Sequence, residues 1–385
     1  MLTDAELARY ARHLSLPQVG YHGQEKLKAG SVLIVGAGAL GSASALYLAA
    51  AGVGRIGIID ADTVERSNLQ RQILHGENTV GKSKVASAAA RLSETNPHVQ
   101  VETYDTWFTA KNAMEIAAKY DVLLDGADNF PTRFLTNDVA YFLRKPVVHA
   151  SILRFEGQAS VFAPHLGGPC YRCLLPTPPT ADAVPSCAEA GVFGALPGIL
   201  GSLQAMESLK VLLGIGSPMI GKIFHYDALS ARSREILLRK DPDCPLCGSN
   251  PKIRTLTDVD PTCGCPLVAG NPPTLQATQS SSIPEISCED LRTLLDNGWN
   301  GLLIDVRDHT EHASGHIGGS RLIPLNRLPE ACEALREMAE TGKEIIVHCQ
   351  AGGRSAKAVL LLQKAGLEGI RHLRGGYSAW CATCR

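Results

Sequence analysis

The 385-residue sequence predicts an α/β protein in two parts, a Rossmann-like doubly wound parallel sheet followed by a smaller α/β domain. Three observations lead there. Short β-branched runs alternate with helical stretches from Ser31 onward, which is the pattern of βαβ units. A Gly-rich turn, Gly36-Ala37-Gly38-Ala39-Leu40-Gly41, follows the first run and opens an alanine-rich helix. The composition then breaks: residues 248–282 hold five prolines and the run Gln279-Ser280-Ser281-Ser282, and strand and helix patterns resume at Ile283.

In chain order, Thr3-Asp4-Ala5-Glu6 is a capping-box pattern opening an amphipathic helix through His13. Ser31 to Val35 reads as a strand buried on both faces, and Arg55 to Asp60 as the next. Asp121 to Asp125 and Pro146 to His149 repeat the strand signature. Gly167 to Pro185 is too rich in Pro, Gly and Thr for a long regular element, and Gly198 to Leu213 reads as a long apolar helix. These elements divide the chain into a first domain over 1–250, a flexible linker over 251–282 and a second domain over 283–385.

Composition narrows the function. With 37 basic against 38 acidic side chains and only 5% aromatic residues, nothing favours nucleic acid or a polybasic membrane contact. The start, MLTDAELARYARHL, is charged throughout and unlike a secretory signal, so a cytoplasmic location is expected. The charge-free stretch from Ala29 to Gly54 holds six glycines and is read as strand, turn and helix, not a membrane span. Twelve cysteines in such a chain point to metal or sulfur chemistry before disulfides.

The Gly-rich turn, with Asp60 at the end of the second strand, fits a nucleotide: glycines allow close phosphate approach, helix N–H groups bind anions and the acid takes a ribose hydroxyl. A dinucleotide dehydrogenase is the first guess. Against it stand Asp62-Thr-Val-Glu-Arg-Ser67-Asn68-Leu-Gln-Arg71-Gln72, Gly81-Lys-Ser-Lys84 and Asp125-Gly-Ala-Asp128-Asn129, which gather cations and an acid beside one pocket. Hydride transfer needs no such cluster, whereas cleavage of a triphosphate does.

These ordered motifs resemble the MoeB and ThiF family of adenylyltransferases, relatives of ubiquitin-activating enzymes, over roughly residues 3–247. The resemblance implies ATP and Mg²⁺ as cofactors. Within it, Gly36, Gly38, Ala39 and Gly41 form the nucleotide loop, Asp60 holds the ribose, Ser67, Asn68, Arg71 and Lys84 serve the phosphates, and Asp128 with Asn129 holds the metal. Arg12, in Arg9-Tyr-Ala-Arg12, corresponds to an arginine reaching a neighbouring subunit's ATP, which implies a homodimer. Ala39 stands where the family usually has glycine, and would tighten the site if its φ were positive.

Cys170-Tyr-Arg-Cys173 and Cys244-Pro-Leu-Cys247 are two C-x-x-C pairs in Pro/Gly-rich turns, suited to a structural Zn²⁺ site or, from composition alone, to redox chemistry. Resemblance to zinc-binding members of the family favours zinc. Cys187 corresponds to the crossover-loop cysteine that bonds covalently to the activated carrier in some relatives. Cys263, Cys265, Cys381 and Cys384 read as thiols on mobile segments.

In the second domain Glu344-Ile-Ile-Val-His-Cys349 is a strand ending on a cysteine, followed by Gln350-Ala351-Gly352-Gly353-Arg354-Ser355 and a helix through Lys364. Loop amides and the helix N-terminus would favour a thiolate or persulfide at Cys349. Cys349 with Arg354 also fits a Cys-dependent phosphatase. However, Asp305-Val-Arg307, Glu311, Gly315-His316-Ile317 and Gly375-Gly-Tyr-Ser-Ala-Trp380 resemble rhodanese sulfurtransferases, with Gly318 where proline is common. Asp305, Arg307 and Glu311 are read as a structural ion-pair set, with His316 in support.

The two halves together resemble MoeZ-type adenylyltransferase/sulfurtransferases. This implies activation of a ubiquitin-like sulfur carrier ending in Gly-Gly, and its conversion to a thiocarboxylate by sulfur from Cys349, loaded by a cysteine desulfurase or thiosulfate. The final acceptor of the sulfur, among them molybdopterin, thiazole, cysteine or tRNA, is left open. Two other readings stand beside it: adenylation alone with separate sulfur traffic, and a non-catalytic docking module for a ubiquitin-like protein.

Overall fold

The computed structural model describes residues 1–179, 191–258, 283–340, 342–350 and 352–383. Two compact units divide the chain, Met1–Asn271 and Pro272–Arg385. Cys187, Ala351, Cys263, Cys265 and Cys384 lie outside the described residues.

The first unit is built on β1 (Ser31–Val35), β2 (Arg55–Ile59), β3 (Gln100–Tyr104), β4 (Val122–Asp125), β5 (Val147–Leu153), β6 (Glu156–Phe162), β7 (Lys222–Asp227) and β8 (Arg232–Leu237). They form one sheet in the order β3-β2-β1-β4-β5-β6-β7-β8, parallel from β3 to β5 and antiparallel beyond. All five residues of β1 are buried, and alternation splits them between two layers. Val32 and Ile34 pack with Leu48, Val85 and Leu92, while Leu33 and Val35 pack with Phe134, Leu135 and Val139.

The antiparallel half extends the doubly wound sheet beyond the strands read from the sequence. β5 runs past His149 to Leu153 and returns through a tight hairpin in which Arg154 has φ 57°. No Gly or Asn marks that turn, so the local signal for a hairpin is missing. The N-terminal capping box forms, with Glu6 N donating to Thr3 Oγ1 and Thr3 N to Glu6 Oε2. The helix spans only Asp4–Arg9, however, and Ala11–Leu14 is a separate turn, because Tyr10 breaks between them at φ −96° and ψ 14°. Its buried hydroxyl accepts from Asn96 Nδ2 at 2.8 Å. The apolar helix runs from Ala195 to Leu213 against helix Ala39–Ala51, and Ser44 Oγ donates to Gly201 O.

The second unit has β9 (Glu285–Ile286), β10 (Leu302–Asp305), β11 (Arg321–Leu322), β12 (Ile345–His348) and β13 (Arg371–Leu373). The sheet order is β11-β10-β12-β13-β9 and every pairing is parallel. Helix Gly353–Lys364 follows β12 and buries Ala358, Val359 and Leu362. Among the described residues, no helix is long and apolar enough to cross a membrane.

Strand β1 passes into its helix through a backbone contact that only glycine permits. A Cβ on Gly41 would lie 2.0 Å from Gly36 O, and one on Gly36, whose φ is +99°, would lie 2.9 Å from Gly126 O. Gly41→Ala is expected to cost about 3 kcal/mol of stability in the first unit, read from urea melts.

Candidate functional site

In the first unit the carboxyl ends of β1, β2 and β4 surround a cleft at the point where the strand order reverses. It encloses about 1020 Å³, open to solvent. Gly36, Gly38, Ala39, Asp60, Arg71, Lys84, Asp128 and Asn129 all line it. Gly41 acts beneath the turn. Ala39 is the first residue of helix Ala39–Ala51 and is absent from the positive-φ residues, so its methyl imposes no backbone strain.

Asp60 braces the turn from the end of β2: Oδ2 accepts from Ala37 N at 2.8 Å and Oδ1 from Asp62 N at 2.9 Å. Burial raises its carboxyl pKa, and the Lys84 ammonium opposes this. Lys84 begins helix Lys84–Thr95, is 6% exposed, and donates from Nζ to Asp62 Oδ2 at 2.8 Å. His75 ties the same helix to the turn, with Nδ1 2.9 Å from Ser87 Oγ and Nε2 3.1 Å from Ala37 O. Burial lowers its pKa and favours a neutral ring, in which Nε2–H donates to the Ala37 carbonyl.

The loop after β4 is fixed from both sides. Asp125 Oδ1 accepts from Ala127 N at 3.0 Å and Oδ2 pairs with His149 Nδ1 at 2.7 Å, both side chains buried. Arg133 donates to Ala127 O from Nε and Nη2, at 3.3 and 3.0 Å. Asp128 itself is exposed and receives Asn129 Nδ2 at 3.4 Å, while Asn129 Oδ1 caps helix Phe130–Leu143 by accepting from Thr132 N.

Other positions fall elsewhere. Asn68 does not line the cleft: it is buried in the turn below it, where its Oδ1 accepts from Glu65 N. Ser67 is exposed and accepts Arg71 Nη1 through its carbonyl at 3.1 Å. Arg12 is exposed on helix Ala11–Leu14 and is not part of the lining. Sequence reasoning gave no role to Gln72, Trp107, Phe108, Arg133, Val192 and Pro197, which do line it. Of these, Gln72 closes the motif that begins at Asp62, and Arg133 lies one helical turn after the Asn129 cap.

The two C-x-x-C pairs meet. The four sulfurs of Cys170, Cys173, Cys244 and Cys247 lie within 4.8 Å of one another, with Cys170–Cys244 at 3.6 Å and Cys173–Cys247 at 3.4 Å. Tetrahedral Zn²⁺ with bonds of about 2.3 Å sets sulfurs roughly 3.8 Å apart, so the cluster fits that ion. Four thiolates this close together would repel one another, which a bound cation would relieve. The first knuckle is seated on helix Phe130–Leu143: Tyr171 N donates to Asn137 Oδ1 at 2.7 Å, and Arg172 forks onto Asp138 at 2.8 and 2.7 Å. Both partners of that ion pair are buried.

In the second unit Cys349, 1% exposed, follows β12 at the mouth of a backbone cradle. Gly352 N donates to its Sγ at 3.1 Å, and Ser355 Oγ lies 3.6 Å away. Gly352 sits at φ +101°, which turns the loop into the helix. The cradle is locked from below, since Tyr377 N donates to Cys349 O and Ser378 N to Gln350 O. Arg307 is 1% exposed, pairs with Asp305, and donates to Gln350 Oε1 at 2.9 Å and Gly315 O at 2.7 Å. Arg354 forks onto Glu311 at 2.7 and 2.6 Å, and Glu311 raises its pKa. His316 Nδ1 reaches His312 O and stacks on that ring. Nothing lies within 4 Å of a Cβ built on Gly318, so the position is open on that side.

Two family models match the chain. The model of the ThiF family matches residues 10–246, and that of the rhodanese-like domain matches residues 287–383. The chain is 44% identical to a probable adenylyltransferase/sulfurtransferase MoeZ of Mycobacterium tuberculosis, over 98% of this chain and 94% of that protein. It is 43% identical to the adenylyltransferase and sulfurtransferase MOCS3-1 of Zea mays, over 97% and 81%. The sulfur carrier protein adenylyltransferase of Thermus thermophilus is 53% identical over 68% of this chain and 98% of its own. Among solved structures, E. coli MccB in complex with MccA-N7isoASN shares the fold, with a TM-score of 0.54 and 22% identity, covering 63% of this chain and 75% of that one.

Behind Cys349, burial draws the pKa of His348 down to about 4 from an ordinary 6.5. A lowered histidine pKa adds stability that is fully present above pH 6.5 and is lost as pH falls toward 4, about 3 kcal/mol in all. The melting temperature of the second unit should drop across that window, and His348→Asn should flatten the dependence.

Proposed function

The chain belongs to the ThiF family and carries a rhodanese-like domain after it, and we propose that it converts a ubiquitin-like sulfur carrier into its thiocarboxylate in two linked steps. It is an adenylyltransferase and a sulfurtransferase on one polypeptide. The observation that carries the reading is the pairing of two sites in one chain: a cleft where Asp60, Arg71, Lys84 and Asp128 converge, and a buried cysteine whose sulfur accepts from the Gly352 amide.

In the first step the C-terminal carboxylate of a Gly-Gly tail attacks the α-phosphate of ATP, an acyl-phosphate bond forms and pyrophosphate leaves. Anions are brought together, so positive charge and N–H donors must meet the charge that grows in the transition state. Asp60 takes the ribose while its carboxylate still braces Ala37 N. Arg71 and Lys84 meet the phosphates, and Lys84 leaves Asp62 to do so. Asp128, with Asn129 beside it, would hold Mg²⁺, and the ion would neutralise phosphate charge when bound. Arg12 of a second copy completes the site, so the working form is a homodimer.

In the second step the terminal sulfur of a Cys349 persulfide, loaded by a cysteine desulfurase or by thiosulfate, attacks the acyl carbonyl and AMP leaves. The resulting acyl disulfide is cleaved by a thiol, from Cys187 or an external reductant, which forms a new disulfide with Cys349 and releases the carrier thiocarboxylate. The Gly352 amide stabilises the sulfur anion at Cys349. Arg354, held by Glu311, shapes the loop.

Two measurements test this. Cys349→Ala should leave carrier-dependent pyrophosphate–ATP exchange within about twofold while abolishing thiocarboxylate formation from thiosulfate, read by mass spectrometry of the carrier. Undiminished thiocarboxylate would separate the two halves into unrelated traffic. Zn²⁺ held by the four cysteines serves structure, so chelation should lower the melting temperature of the first unit by several degrees. An unchanged melting curve on metal removal would end the structural role of the cluster.

A further inference from the structure

Among the described residues, Gln72 is the one cleft-lining carboxamide left unused by the account above. It is 5% exposed, and its Oε1 is buried with no hydrogen-bond partner. The other, Asn129, is committed to its helix cap and to Asp128. The Gln72 backbone is fixed in place, its N–H donating to Asn68 O at 2.9 Å and its carbonyl accepting from His75 N at 3.1 Å. The side chain faces the Gly-rich turn: Nε2 is the nearest atom to a Cβ built on Gly38, at 3.9 Å.

Burying the amide oxygen without a partner is unfavourable, and an apolar side chain of the same shape would be more stable there, so the cost is borne for what the Nε2 end does in the cleft. The N–H donor is aimed at the turn residue next to Ala37, which Asp60 braces. With the ribose on Asp60, the phosphate adjoining Gly38 is the α-phosphate, where the carboxylate attacks. A neutral donor suits that position. It meets phosphate charge without adding a second ammonium beside Lys84, and it keeps its protons through the reaction.

We propose that Gln72 is a catalytic residue that donates from Nε2 to a non-bridging oxygen of the α-phosphate, a role that rests on the adenylation reading. The test uses the full chain and two probes, AMP and adenosine, titrated by calorimetry. Gln72→Met keeps the length and removes both polar atoms, so it should melt no lower than wild type yet bind AMP about tenfold more weakly. Gln72→Glu should weaken AMP by roughly a hundredfold at pH 8, and that ratio should shrink on acidification as the carboxyl gains a proton to donate. Adenosine, lacking the phosphate, should bind all three proteins alike. Equal affinity for AMP in all three proteins, or a parallel loss for AMP and adenosine, overturns the role of Gln72 alone. Failure of the wild-type chain to bind either probe overturns the nucleotide reading and this proposal with it.

Discussion

The nucleotide cleft depends on one close approach of backbone to backbone. Gly36, Gly41 and Gly126 bring the end of β1, the first turn of its helix and the end of β4 to within distances that leave no space for a side chain. This contact lets the helix N-terminus face the mouth of the sheet, and it sets Asp60 within reach of Ala37 N. Everything polar around the cleft is arranged against that frame. Asp60 and His75 hold Ala37 by its two backbone groups, and Asp125 and Arg133 do the same for Ala127.

The second unit solves a related problem with different chemistry. Its cysteine sits at the end of β12, and the residues around it are held by groups from other elements of the unit. The buried guanidinium of Arg307 therefore serves as a hub, joining Asp305, Gly315 O and Gln350 Oε1, with the Tyr377 ring 4.3 Å from its Cζ. Removing one member of such a buried set would leave the others uncompensated, so its value is in holding geometry more than in net stability.

Much of this was legible in the sequence because it is local. The Gly-rich turn between strand and helix, the spacing of both C-x-x-C pairs and the cysteine ending a strand each occupy a few consecutive residues. What stayed hidden depends on distant partners. The β5–β6 hairpin turns at Arg154 without a glycine, and β8 is exposed along its length, so neither announces itself by hydrophobic pattern. Asn68 reads as a cleft residue from its motif, yet its side chain closes its own turn. Trp107 and Phe108 enter the cleft only because β3 neighbours β2 and β2 neighbours β1, a fact of topology.

Helix Phe130–Leu143 has a further consequence for how the chain can vary. Its first turn carries Asn129 and Arg133 at the cleft, and its second half carries Asn137 and Asp138 under the Cys170–Cys173 knuckle. One residue added or lost between Arg133 and Asn137 would turn one set against the other by about 100° and shift it by about 1.5 Å. Both attachments could not survive. The helix is a ruler of fixed length between the two sites, which tolerates substitution at its other positions more readily than any change in its length.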